Sequence, residues 1–197
     1  MMFVLLDTNA YLRLAKRVRP AVGIKFGQKQ YVLTIHKIVE DEVHRSPRLR
    51  ERFPWFDGEE FAEERFAKQI RLSAEDKEAV DAAHSILHNW VLEDPGAYIT
   101  GGRSPPSWTD CWLLALAQVK SAIVVTDDLA IHQLAAEFGL SVWHGFELLS
   151  KLVSARVIDN LLIKEIYEAL EVNGDLPKAW IDVKHTVFPR VFGAPPG

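Results

Sequence analysis

The chain has 197 residues, 48% apolar and 25% charged, with a mean hydropathy of −0.02, which suits one sizeable core with little to spare for a second. Its single cysteine, Cys111, excludes an intrachain disulfide and a structural zinc site built from thiolates, so any metal must be held by oxygen or imidazole. The net charge of −4 hides a basic front: residues 1–50 carry 10 Lys and Arg against 4 Asp and Glu, and residues 51–100 carry 5 against 12.

The opening residues have no basic n-region, and Asp7 interrupts them after six apolar positions, too few for a signal peptide or a membrane span. A cytoplasmic chain that does not enter membranes is expected. Residues 3–6 form a continuous apolar run closed by Asp-Thr-Asn, which reads as a buried strand feeding a helix capped at Thr8 or Asn9. Residues 31–33 suit a second short strand, and 34–44 have helical spacing. Ser46-Pro47 and Phe53-Pro54 then break the chain before an acidic helix near 58–71. Ser73 to Asp76 is a capping box, and its helix should reach Leu92, where Asp94-Pro95-Gly96 stops it. The Gly- and Pro-rich stretch 95–106 reads as an irregular loop.

Residues 107–119 are apolar on nearly every side, which marks a buried helix. A further buried strand at 122–126 leads into Asp127-Asp128 and a helix stopped at Gly139. Residues 140–143 suit another buried strand. Helices near 145–155 and 158–172 follow, and the tail after Asn173-Gly174 reads as frayed. Strands separated by helices predict an α/β fold, a single three-layer domain with a mainly parallel central sheet. The expected division is a core at 1–150 and a C-terminal helical extension and tail at 151–197, packed on the same domain.

Asp7 and Asp128 both fall just past the ends of apolar strands, the edge where open parallel sheets keep their functional crevice. Either alone reads better as a helix cap, and it is the addition of Glu42 and Asp110 that favours a site. On the helix after Thr34, steps of 100° place Glu42 inside the apolar stripe of Ile35, Ile38, Val39 and Val43, with Glu40 and Asp41 outside it. A carboxylate on a buried face costs several kcal/mol, on the order of a lost ion's hydration, unless a cation compensates it. The competing reading is a salt bridge to an arginine. Asp110, in the first turn of an apolar helix, raises the same problem. Four such carboxylates brought together repel one another, and a hard divalent cation resolves the repulsion. The basic residues Arg13, Lys16, Arg17, Arg45, Arg48 and Arg50 are candidate contacts for the phosphates of a polyanion, or simply solvated surface.

The ordered set Phe-Val-Leu-Leu-Asp7-Thr8-Asn9, Leu33-Thr34 with Glu42-Val43 downstream, Ser107-Trp-Thr-Asp110, and Val-Val-Thr126-Asp127-Asp128 resembles the PIN-domain ribonuclease family, and within it the bacterial VapC-like toxin nucleases. The likeness covers about residues 1–150. It implies a PIN-like fold, hydrolysis of RNA phosphodiesters with Mg²⁺ or Mn²⁺ held by Asp7, Glu42, Asp110 and Asp128, supporting roles for Asn9, Thr126 and Asp127, and RNA as the polyanion met by Arg13, Lys16, Arg17, Arg45, Arg48 and Arg50. It also implies an antitoxin protein as a partner and leaves room for a homodimer. By motif alone Glu40 competes with Glu42 and Asp127 with Asp128. The helical face selects Glu42, and the family spacing of Thr, one residue, then Asp selects Asp128. The helices after residue 145 extend beyond the minimal family domain.

A phosphatase of the haloacid dehalogenase type is the nearest rival enzyme, but it wants a carboxyl group two residues after its nucleophilic Asp, where this chain has Asn9. A catalytically silent RNA-binding or partner-binding module should have lost one of the four carboxylates, and none is missing. His84 and His88, with Asp81 a turn earlier, have zinc-capable spacing but no glutamate base between them, and read as surface histidines. Trp90, Trp108, Trp112 and Trp143 read as core, and Trp55 as the better exposed aromatic contact.

Overall fold

The computed structural model describes residues 1–99 and 104–195. Positions 100–103 of the expected irregular loop, and the last two residues of the Gly-Ala-Pro-Pro-Gly end, lie outside the described residues. The architecture is α/β, with a five-stranded, mainly parallel sheet flanked by helices in three layers.

β1 (Met2–Leu6) sits at the centre because Val4, Leu5 and Leu6 are fully buried, as a strand covered on both faces requires. It pairs in parallel with β3 (Tyr31–Thr34) on one side and with β4 (Ile123–Val125) on the other. β5 (Val142–Trp143) adds in parallel beside β4, while β2 (Lys25–Phe26), a two-residue edge with no sequence signal of its own, pairs antiparallel with β3. The strand order is therefore β2-β3-β1-β4-β5. From β1 the chain moves to the β3 side and from β4 to the β5 side. The connections thus diverge between β1 and β4, a topological switch point where a crevice opens beyond the strand ends.

Helix α1 (Thr8–Val18) follows β1; its cap is Asp7, not Thr8 or Asn9. Its buried face, including Tyr11, Leu14 and Val18, packs near β1 and α2 (Lys37–Arg45). α2 begins at His36 rather than at Thr34, because Thr34 still belongs to β3 and its hydroxyl is spent on the Lys68 carbonyl, 2.7 Å away. The break at Ser46-Pro47 opens a short helix, α3 (Pro47–Arg52), for which Ser46 is the cap. α4 (Glu59–Lys68) is the acidic helix, and α5 (Ala74–Glu93) carries the expected Ser73–Asp76 capping box. α5 packs along α6 (Trp108–Lys120), whose stretch from Cys111 to Ala117 is buried throughout. α7 (Leu129–Glu137) ends before Gly139, which adopts φ +64°. β5 is half-buried rather than buried, since it is the sheet's outer parallel strand.

α8 (Gly145–Ser154) and α9 (Asn160–Val172) form as expected. The tail does not fray where expected: α10 (Lys178–Val187) and α11 (Pro189–Phe192) follow, anchored by Trp180, which is 1% exposed. α11 packs on α9, and α9 packs on α1, so the extension reaches back toward the strand ends.

Two indoles depart from their expected burial, Trp90 at 50% and Trp108 at 48% exposed, because each lies on the outer flank of its helix. Trp90 Nε1 instead donates to Glu137 (2.8 Å), whereas Trp112 is core and Trp143 half-buried. His84 is buried, not a surface residue, wedged edge-on to Trp108 at 4.6 Å and stacked on His88 at 5.4 Å.

Candidate functional site

Asp7 is the residue after β1, and its amide donates to the Val125 carbonyl (3.1 Å), which ties the ends of β1 and β4 together at the switch point. Its Oδ1 accepts from the Ala10 amide at 2.5 Å and so caps α1. The side chain is buried, and loss of hydration pushes its pKa up to about 7. The Thr126 hydroxyl and the Ala10 amide offset part of that, and the nearby carboxylates of Asp110 and Asp127 add to it. Thr126, fully buried, also accepts from the Asp128 amide through Oγ1 (3.1 Å). One hydroxyl thereby links the two strand-end acids.

Asp110 is pushed up to about 6, again mainly by burial, with the charges of Glu42 and Asp128 contributing. Its Oδ2 accepts from the Ser107 amide (2.7 Å) while the Ser107 hydroxyl accepts from the Asp110 amide (3.2 Å). This second capping box has the same Ser-x-x-Asp signature as Ser73–Asp76, a signal present in the sequence that points to Ser107 as the residue orienting Asp110. Asp128 caps α7 through Oδ1 to the Ala130 amide (2.8 Å). Glu42, half-buried on α2, accepts from the Thr8 hydroxyl.

The neighbours of these acids are otherwise engaged. Glu40 is held by Arg65 Nε (3.2 Å) and Gln69 Nε2 (2.7 Å), an ion pair beneath α4, and Asp41 pairs with Lys37 on the surface. Asp127 is buried, and although burial alone would raise its pKa, His144, the Gly145 amide, Trp180 and Arg13 together hold it below the ordinary carboxylate value. Its Oδ1 accepts from Gly145 N (3.0 Å) and Trp180 Nε1 (2.9 Å), and Arg13 lies 3.7 Å from Oδ2. Asp127 is thus a tie between β4, α8 and α10.

Asp7, Glu42, Asp110 and Asp128 therefore come to one edge, with Asp110 within electrostatic reach of the other three. Among the described residues, however, no three Asp, Glu, His or Cys side chains are arranged as they stand to hold a metal ion. Each carboxylate is turned to a hydrogen-bond donor of its own. The donor set is nevertheless all oxygen, and the pKa values of Asp7 and Asp110 are raised, the condition in which a hard divalent cation relieves both repulsion and lost hydration.

A cavity of about 380 Å³ opens here, lined by Asp7, Asn9, Arg13, Asp127, Asp128 and, from the extension, Lys178. Asn9 is exposed at its rim. Lys178 had no motif to mark it, since it lies outside the stretch that carries the resemblance. Arg13 spans Asp127 and Asp175 (3.1 Å). Lys16 and Arg17 lie on the same face of α1 beside a second cavity. Arg45, Arg48 and Arg50 are exposed on α2 and α3; Arg45 Nε donates to the Asp41 carbonyl (3.1 Å) and Arg50 pairs with Asp57 (3.4 Å). No helix is long and apolar enough to cross a membrane among the described residues.

No family model matches the chain, and no curated protein matches it by sequence. Among solved structures, it is similar to VapBC2 from Rickettsia felis, crystallised bound to a DNA fragment from their promoter, at 15% identity and a TM-score of 0.43 over 73% of this chain and 98% of that one.

Proposed function

We propose that this chain is a ribonuclease dependent on Mg²⁺ or Mn²⁺, hydrolysing RNA phosphodiester bonds. The observation that carries the reading is the pair of acids Asp7, buried at a sheet's switch point, and Asp110, half-buried in the first turn of α6, both raised toward neutrality and beside further acids. A merely structural role would leave them as caps, yet Asn, Ser or Thr caps a helix as well without the cost of a buried charge.

Asp7, Glu42, Asp110 and Asp128 would hold the cation, which supplies positive charge to the phosphate and a more acidic water. Thr126 fixes Asp7 and Asp128 relative to each other, and Ser107 fixes Asp110. Asn9, at the rim, offers an amide to the substrate. Lys178, with no carboxylate within ion-pair distance among the described residues, brings positive charge to the crevice that Asp7 and Asp128 line, attracting a phosphate that the acids alone would repel, whereas Arg13 is spent on Asp127 and Asp175. The motif likeness to toxin nucleases extends the reading to an antitoxin protein encoded beside this chain, which co-purification with the neighbouring gene product would test.

The direct experiment incubates end-labelled single-stranded RNA with the protein in Mg²⁺ or Mn²⁺, with EDTA added, and with Asp110→Asn. Cleavage leaving a 5′-phosphate and a 3′-hydroxyl, lost in EDTA and reduced at least ~100-fold in the variant, is expected, because an amide is a poor ligand for a hard cation. Cyclic phosphate ends, or full activity in EDTA, would reject it.

A further inference from the structure

Beside the acidic crevice lies a second cavity of about 510 Å³, large enough for a nucleotide. The two share Arg13 and Asp175 in their linings, so they adjoin at that ion pair. One wall is the face of α1 that presents Arg13, Lys16 and Arg17 at i, i+3 and i+4. The other is the turn after α3, where Arg52 and the half-buried Trp55 line it, and Asp175 in the α9–α10 turn closes the end. Asp175 pairs with Arg13 (3.1 Å) and Arg52 (3.6 Å), whereas Lys16 and Arg17 have no carboxylate within ion-pair distance among the described residues. The Trp55 ring is braced edge-on by Phe61 at 5.1 Å and tilted against Tyr11 at 6.2 Å, so it is a fixed surface rather than a free side chain.

We infer that this cavity holds one nucleoside of a single-stranded RNA next to the scissile phosphate, its base against Trp55 and its phosphate against Lys16 and Arg17. The inference rests on the ribonuclease reading for the identity of the polyanion. A solvated basic face accounts for the lysine and arginines, but not for a braced indole set in a concave site next to the acidic crevice. Stacking is tolerant of base identity, and a duplex keeps its bases paired, so the site selects unpaired chain over duplex.

The test uses the full chain in EDTA, to prevent cleavage, and a hexaribonucleotide carrying 2-aminopurine, whose fluorescence is quenched on stacking. Wild type should quench the single strand and leave the same probe in a duplex unchanged. Trp55→Ala should remove the quench and weaken binding roughly 5- to 150-fold, the range given by ~1–3 kcal/mol per stacked base, and Trp55→Phe should restore much of both. Lys16→Glu with Arg17→Glu, on an accessible helix face, should weaken binding at least ~10-fold without touching the core. That double variant decides the matter should Trp55→Ala fail to fold. Wild-type affinity in the double variant, or an unaltered quench in folded Trp55→Ala, would overturn the site. Cleavage in Mn²⁺ is scored separately: absent cleavage with the expected binding pattern removes the ribonuclease reading alone, and cleavage with unaltered binding in the variants removes the cavity alone.

Discussion

Asp7 and Asp128 each cap a helix with one oxygen and Asp110 closes the capping box of Ser107, so each charge proposed to hold the cation also holds local structure. This double use makes Asn the informative substitution, since its carbonyl caps as well as a carboxylate while the charge is gone. Asp7 and Asp110, with folded-state pKa values of about 7 and about 6, keep their protons in the folded chain where the unfolded chain has lost them. The unfolded state then binds fewer protons, so metal-free stability should fall as pH rises from about 4 and level off above about 7. The loss should be on the order of a few kcal/mol. Asp7→Asn should therefore melt higher than wild type in EDTA at pH 8 and show a flatter pH profile, as thermal unfolding followed by circular dichroism would reveal. A metal-free wild type that gains stability between pH 5 and 8 would show that the acids carry no such strain. Which acids belong together was legible in sequence only through helical phase: Glu42 shares the stripe of Ile38, Val39 and Val43, whereas Glu40 turns to Arg65. The Arg65 contact crosses 25 positions, and no local pattern encodes it.

Among the elements, the join between β4, α8 and α10 is where the extension meets the site. Gly145 has room for no more than hydrogen there: a Cβ would lie 2.7 Å from the Trp180 ring and 3.1 Å from Asp127 Oδ2. Asp127→Ala would leave Trp180 Nε1 and the Gly145 amide without their acceptor in a buried place, and Arg13 with Asp175 alone, costing about 3 kcal/mol or more. Asp128→Asn should cost little stability, because the cap survives. With Mn²⁺ present the pattern should invert: Asp127→Ala keeps the metal-induced rise in melting temperature and Asp128→Asn loses most of it. Equal metal responses in the two variants would break this division between tie and ligand. The sequence made β1 and β4 plain, since continuous apolar runs bounded by Asp have few other uses. It hid β2, too short for any pattern, and α3, six residues between two prolines with no buried face. It also concealed α10 behind Asn173-Gly174 and Pro177, although Trp180, Val183 and Val187 repeat at helical spacing.

Over the whole molecule, a net charge of −4 and an acidic crevice should repel RNA, so the proposed binding would depend on how the cations are segregated. The chain order already separated them, with the basic excess confined to residues 1–50, but only the fold distinguishes cations that are spent from those that are not. Arg19 is held by Glu60 and Glu64, whereas Arg48 has no ion pair among the described residues. Arg45 and Arg50 are intermediate, tethered to a carbonyl and to Asp57 yet exposed. Replacing Arg45, Arg48 and Arg50 together by Ala should thus remove fewer than three phosphate contacts. For single strands each contact adds about 0.7 to the slope of log K against log salt, so the slope should shrink by roughly 0.7–1.4 rather than by about 2. Cleavage at saturating RNA should persist in this variant, since phosphate contacts position the chain and the carboxylates act on it. Fluorescence anisotropy of a labelled single strand between 50 and 200 mM salt, in EDTA, measures the slope directly. An unchanged slope would assign all three arginines to solvation and leave the face of α1 to carry the electrostatic attraction alone.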